Sequence, residues 1–181
     1  MRNVKFSSLR TRVSFVPQEG FLFNTTIADN VRYGRPGAGE RELKTAFLEL
    51  GLDGWLERLP DGLDTVVGER GSNLSAGERQ LVALVRSWIA APDLLVLDEA
   101  TSAVDPALEV SLRRAIERLT AGRTSITIAH RLSTAEAAEE VLVFDHGGLV
   151  ERGTHQELLA QGGVYSRLYA DWNRATRPAA R

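Results

Sequence analysis

The sequence predicts an α/β fold, and three observations carry that prediction. Short runs of strand length and composition stand at Val13–Val16, 94–97, 124–129 and 141–144. Longer stretches between them space their apolar residues as helices do. Proline and glycine punctuate the boundaries. Strands alternating with helices imply layers of helix on sheet.

Each element follows in chain order. Val13-Ser14-Phe15-Val16 reads as a strand stopped by Pro17, which has no N–H to give a ladder. A mostly helical stretch follows, broken at Arg35-Pro36-Gly37 and at Leu59-Pro60-Asp61-Gly62. Within it Leu43, Phe47, Leu48 and Leu50 fit an amphipathic helix. A clearer helix starts at Ser75, where Ser75 and Glu78 make a capping box. Leu81, Leu84, Val85, Trp88 and Ile89 give its apolar stripe, and Pro92 ends it. The uninterrupted apolar run 94–97 predicts a strand buried on both faces. Asp105 and Pro106 suit the N-cap and first position of a helix ending near Gly122. Strands follow at 124–129 and 141–144, and Gly147-Gly148 turns the chain into Leu149-Val150. Thr154 and Glu157 cap a short helix, a last helix covers about 164–172, and a frayed tail closes the chain.

Composition narrows the function classes. At 181 residues and 43% hydrophobic content the chain can bury one real core. A net charge of −2 without a basic block gives no footprint for nucleic acid. No cysteine is present, so disulfides and thiolate metal sites are excluded. No apolar run approaches the ~20 residues needed to span a bilayer. The first twelve residues are polar and basic and do not read as a signal peptide.

Four groups of residues point to chemistry. Asp98 and Glu99 stand at the C-terminal end of an apolar strand, where open α/β sheets collect ligands. Adjacent carboxylates can divide labour: the first suits Mg2+, a hard ion that prefers oxygen, and the second can orient or deprotonate a water. Alone, such a pair is better explained by solvated acids; the apolar run before it and Ala100-Thr101-Ser102-Ala103-Val104-Asp105 after it reverse that. Leu74-Ser75-Ala76-Gly77-Glu78-Arg79-Gln80 opens a helix with a free hydroxyl and a glycine, where backbone N–H groups and the helix dipole favour an anion. Read alone it is as readily an ordinary capping box as an anion site. His130 ends the strand 124–129; a lone histidine there is ordinarily structural or solvated, and its place in the series of motifs is what singles it out. Gln18 follows Val16-Pro17, by itself a weak signal. His146 and His155 read as surface residues.

Taken in order, these motifs resemble the second half of the ATPase domain of ABC-family proteins. Ala76 and Glu78 stand where glycine and glutamine are commoner. Phe21-Leu22-Phe23-Asn24-Thr25-Thr26-Ile27 after Gln18, Gly68-Glu69-Arg70-Gly71, Arg131-Leu132-Ser133-Thr134 and Gly153-Thr154-His155-Gln156-Glu157-Leu158-Leu159 are similar to exporter sequences. The resemblance implies a P-loop NTPase-like core, truncated, with a helical subdomain inserted after the first strand: about 19–90 helical, 91–172 core with the catalytic strand ends, 173–181 tail. It implies ATP and Mg2+ as ligands, Glu99 as catalytic base, Asp98 as magnesium ligand and His130 on the γ-phosphate. Gln18 would touch magnesium or the lytic water. Ser75, Gly77 and Glu78 would belong to a signature motif serving a nucleotide held mainly by a second ABC ATPase domain, and Asp105 would bridge the two domains. A transmembrane partner, in the same or another chain, would hold the protein at the cytoplasmic face of the membrane.

The phosphate loop Gly-x-x-x-x-Gly-Lys-Ser/Thr is not in this sequence, whose only lysines are Lys5 and Lys44. The chain therefore reads as the C-terminal part of such a domain, whether a gene fragment, a truncated product or half of a split protein. Two functions remain open: part of an exporter's ATP-hydrolysing domain, or a non-catalytic module presenting the signature motif to a complete ABC subunit. A soluble ABC ATPase of DNA repair or translation fits less well, for want of a basic surface. The resemblance also orders the strands: Val13–Val16, then 94–97, then 124–129, with 141–144 beyond a vacant position.

Overall fold

The computed structural model of the chain describes residues 5–98 and 105–176. They fall into two compact units, Met1–Ile128 and Ala129–Arg181.

The first unit runs α1 (Phe6–Arg12), β1 (Val13–Val16), α2 (Ile27–Arg32), α3 (Glu40–Leu50), α4 (Asp53–Glu57), α5 (Ala76–Ala90), β2 (Leu94–Asp98), α6 (Pro106–Thr120) and β3 (Thr124–Ile128). Short 3-10 turns at Gly62–Asp64 and Glu69–Gly71 join α4 to α5. The three strands form a parallel sheet in the order β1-β2-β3, the neighbour order expected. Its register aligns Phe15 with Val96 and Val96 with Ile126, and it ends with Asp98 opposite Ile128.

The two faces of this sheet differ. Side chains alternate between faces along a strand, so Val16, Leu95 and Leu97 share one face, and all three are buried in the main core. The hydroxyls of Ser14 and Ser87 meet there at 2.7 Å, tying β1 to α5. Leu112, Ala115 and Leu119 of α6 enter the same core. On the opposite face Phe15 is 55% exposed and Ile126 50% exposed. The expectation that 94–97 is buried on both faces is thus corrected: Leu95 and Leu97 are buried, Leu94 and Val96 only half so. All five residues of β3 are exposed. Among the described residues β3 pairs only with β2, while Val141 and its neighbours pair elsewhere.

Helix α5 is the centre of the unit. Its capping box forms as expected: the Ser75 hydroxyl accepts the Glu78 N–H and the Glu78 carboxylate accepts the Ser75 N–H. Buried positions run from Gly77 through Gln80, Leu81, Val82, Ala83, Leu84 and Val85 to Ser87 and Ile89. That is wider than the predicted stripe, because α2, α3, α6 and β1 all pack on it. Its last turn ends at Ala91, held at φ 46°, before Pro92. In α3, Leu43, Ala46, Phe47 and Leu50 face the core. Leu48 is 59% exposed, against expectation, since it lies on the far side of that helix from Leu43 and Phe47.

The second unit contains α7 (Leu132–Ala137), β4 (Val141–Asp145), β5 (Gly148–Gly153), α8 (His155–Gln161) and α9 (Val164–Thr176). The antiparallel hairpin β4–β5 turns through His146 at φ 47° and Gly147 at φ 79°, and carries a bulge at Val143/Phe144. Two positive φ values suit a hairpin turn that follows the twist of its strands. Thr154 and Glu157 form the predicted capping box on α8. The Glu151 carboxylate accepts the first free N–H groups of α9, from Val164 and Tyr165. Ala135, Val143, Leu158 and Tyr165 make a small separate core. The stretch after His130, read as a loop, is helical from Leu132, and α9 extends past the predicted end at 172.

Candidate functional site: a strand-end edge and the helix beside it

Parallel strands put all their C-terminal ends on one edge of the sheet. Val16 pairs with Leu97, and Asp98 with Ile128. Gln18 follows β1 by two residues and Asp98 is the last residue of β2, so both belong to that edge. Gln18 is exposed and Asp98 half-buried. This is where an open α/β sheet places ligands. The carboxylate and the amide oxygen are both hard donors, the kind Mg2+ takes. Asp105 precedes Pro106, and its carbonyl accepts the Glu109 N–H at 2.9 Å, which starts α6 at the predicted place. Glu99, the expected base, lies outside the described residues. His130 is exposed and opens the second unit.

The expected signature residues sit at the start of α5. Ser75 is exposed, Gly77 buried and Glu78 half-buried. The Glu78 carboxylate is committed inward: one oxygen takes the Ser75 N–H at 2.8 Å and the other takes the Trp55 indole N–H at 3.1 Å. Partial burial pushes the Glu78 carboxyl up. The Ser75 backbone, the Trp55 indole, the Ser75 hydroxyl and the Arg58 charge outweigh it and hold the group below its ordinary value. Glu78 thus fixes the helix start and leaves Ser75 to face outward.

One bond joins this helix to the strand-end edge. The Gln80 side-chain N–H donates to the Pro17 carbonyl at 3.2 Å, beside Gln18. The amide oxygen of Gln80 is buried without a hydrogen-bond partner. Sequence patterns single out neither this bond of Gln80 nor two further residues of the region, Asn30 and Arg86. Asn30 is fully buried. It accepts the Phe23 N–H at 2.9 Å and donates to the carbonyls of Phe23 and Thr26, both at 3.0 Å. Arg86 donates to Asn30 and to the Phe21 carbonyl. Burial lowers its pKa, with Tyr33 acting the other way, but a guanidinium stays charged. A polar residue interrupting an apolar helix face, as Gln80 and Ser87 do in α5, is the signal that could have found them.

Residues 1–102 match the ABC transporter family. An ATP-dependent lipid A-core flippase of Shewanella oneidensis is 48% identical over 90% of this chain, which covers 27% of that protein. An uncharacterized ABC transporter ATP-binding protein of Bacillus subtilis, YknV, is 44% identical over 93% of this chain and 28% of its own length. Among solved structures, a bacterial Atm1-family ABC exporter with ATP bound superposes with a TM-score of 0.87 at 40% identity. The match covers 100% of this chain and 31% of that one. The chain thus spans less than a third of the length of these relatives.

Proposed function

This chain belongs to the ABC transporter family, and from that premise we propose that it is part of the ATP-hydrolysing domain of an exporter. The observation that carries the proposal is the shared edge: Gln18 and Asp98 at neighbouring strand ends, with the start of α5 bonded to the same edge through Gln80. In this reading Asp98 and Gln18 hold Mg2+ through oxygen, and bound Mg2+ would neutralise phosphate charge. Glu99 takes a proton from the attacking water. His130 donates to the terminal phosphate. Ser75 and Gly77, exposed hydroxyl and close backbone, face the nucleotide of a second ABC ATPase domain, with Glu78 fixing their helix and Asp105 at the domain–domain contact. Residues 19–90 form the helical subdomain and 91–172 the catalytic part of the core.

The phosphate loop comes from sequence other than this, since no lysine here stands in a glycine-rich loop. Among the described residues no helix is long and apolar enough to cross a membrane. In this reading a transmembrane partner holds the chain at the cytoplasmic face of the membrane. The same lack of a phosphate loop supports a second reading, in which the chain lends Ser75 and Gly77 to a complete ABC subunit without itself hydrolysing ATP.

The test mixes the chain with a complete exporter ATPase domain that binds but does not turn over ATP. Association that needs Mg-ATP, and is lost in Ser75→Arg, is the expected result. Association indifferent to nucleotide would refute the role given to Ser75. Hydrolysis by the chain joined to a phosphate-loop segment separates the first reading from the second.

A further inference from the structure

We propose that Arg86 is a positioning residue that locks the loop after Gln18 to α5, so that this loop and the Ser75 end of the helix move as one body. Its meaning for ATP handling rests on the roles proposed above for Ser75 and Gln18; the mechanical claim does not.

The lock has three levels along α5. At the first, Gln80 donates to the Pro17 carbonyl at 3.2 Å. At the second, backbone meets backbone: a Cβ on Gly20 would lie 2.6 Å from the Arg79 carbonyl oxygen, so only glycine fits. At the third, Arg86 donates from one terminal nitrogen to the Phe21 carbonyl at 3.0 Å. From Gln80 to Arg86 the helix rises about 9 Å. The loop is therefore held at both ends of that span, which resists tilting as well as sliding.

Arg86 does more than touch Phe21. Its Nε donates to the Asn30 carbonyl at 2.9 Å and its other terminal nitrogen to Asn30 Oδ1 at 3.0 Å. Asn30 in turn grips both the N–H and the C=O of Phe23. One guanidinium thus holds Phe21 directly and Phe23 through one intermediary. The planar fork spans three acceptors on two segments, which a lysine ammonium does not match. No carboxylate pairs with Arg86 among the described residues, so its charge is spent on these carbonyl-type oxygens. The turn after α2 closes on the same residue: a Cβ on Gly34 would lie 2.2 Å from the Arg86 carbonyl oxygen.

The locked loop carries exposed aromatic rings. Phe21 and Phe23 are 52% and 39% exposed, and Tyr33, at the end of α2, is 59% exposed. Phe21 meets Phe23 edge-on at 5.1 Å, and Phe23 stacks on Tyr33 at 4.1 Å. Between Phe21 and Phe23, Leu22 is fully buried in the main core, and the Arg86 and Asn30 bonds hold the backbone on either side of it.

The experiment uses the whole chain. It has no cysteine, so Glu19→Cys accepts a single nitroxide on the exposed loop. In Arg86→Lys the label is expected to become more mobile. Amides 21–25 are expected to exchange at least about tenfold faster, the loss of one charge-assisted bond, while amides 81–84 stay within about twofold. An unchanged label with unchanged exchange would overturn the proposal. Uniform acceleration throughout the first unit would overturn it too, because Arg86 would then only support the fold. In the unsubstituted chain, the Phe23 amide and the Arg86 Nε–H are expected to exchange through one shared opening. A freely exchanging Phe23 amide beside a protected Arg86 would refute the lock even if the variant failed to fold. Neither outcome bears on whether the chain meets ATP.

Discussion

Replacing Asn30 by alanine is the sharpest test of how the first unit is held together. The side chain is fully buried and makes four side-chain hydrogen bonds. Alanine leaves the Phe23 N–H and one Arg86 nitrogen without acceptors and removes a donor from the Phe23 carbonyl. The Thr26 carbonyl keeps the Asn30 N–H, so it is not orphaned. Each buried orphan costs roughly 1–3 kcal/mol, more for a charged donor. For the two orphans the sum is about 2–6 kcal/mol. Against a total stability of about 5–15 kcal/mol this is a large share. Asn30→Asp keeps the acceptor for Phe23 and Arg86 and gives Arg86 an ion partner, so its loss should be smaller. Equilibrium urea unfolding followed by tryptophan fluorescence measures both, with a constant m-value as the check on two-state behaviour. A loss below about 1 kcal/mol for Asn30→Ala would refute the reasoning, as would Asn30→Asp proving the more damaging change.

Four further outcomes are expected. Ala91→Gly should stabilise the chain by about 1 kcal/mol, since Ala91 sits at φ 46° where only glycine is unstrained; a lower urea midpoint would contradict this. Glu78 is held below its ordinary pKa when folded, so its contribution is present above the unfolded value of about 4.3 and fades as pH falls through the folded one. Protection factors at the first turn of α5 should therefore fall under acid, and Glu78→Gln should remove that pH dependence. Ile126→Lys on the open sheet face should change stability by no more than about 0.5 kcal/mol and reduce aggregation; a loss near that of a core substitution would mean the face is covered. The chain alone should show no ATPase activity above background. Joined to a phosphate-loop segment it should turn over ATP, and Glu99→Gln should then slow it by ~10²–10⁴-fold, so turnover near the parent rate would remove Glu99 from its role.

Local signals proved legible in the sequence, and long-range ones did not. The boxes at Ser75/Glu78 and Thr154/Glu157 depend on residues three apart, and both form. Pro17, Pro92 and Pro106 act on their own backbone and mark the predicted boundaries. The burial of 94–97 was misjudged because an apolar run does not say how many faces find a partner. Leu48 was misjudged because leucine counts as apolar whichever side of a helix it occupies. The Arg86–Asn30–Phe23 lock joins segments 56 residues apart, beyond the reach of any local pattern. Of the candidate site, the strand-end position of Asp98 was readable from the apolar run before it. That Glu78 turns inward was not, because Trp55 comes from a different helix.

The pairing of the strands also sets an order of assembly. β4 and β5 are adjacent in the chain and close through a two-residue turn, so they can zip as soon as they exist. β1 has no such neighbour: Val13 must wait for Leu94, with α2 to α5 lying between. Contacts between distant parts of a chain form slowly, since a long loop must close before any bond repays it. On a ribosome β1 emerges before β2 and stays unpaired while four helices are made, and α5, with its grip on Pro17, Gly20 and Phe21, is the scaffold that can hold it in place until β2 appears. Pulse-labelled hydrogen exchange during refolding should then show the hairpin protected first, α5 next and the parallel sheet last; protection of β1 before α5 would reverse that order.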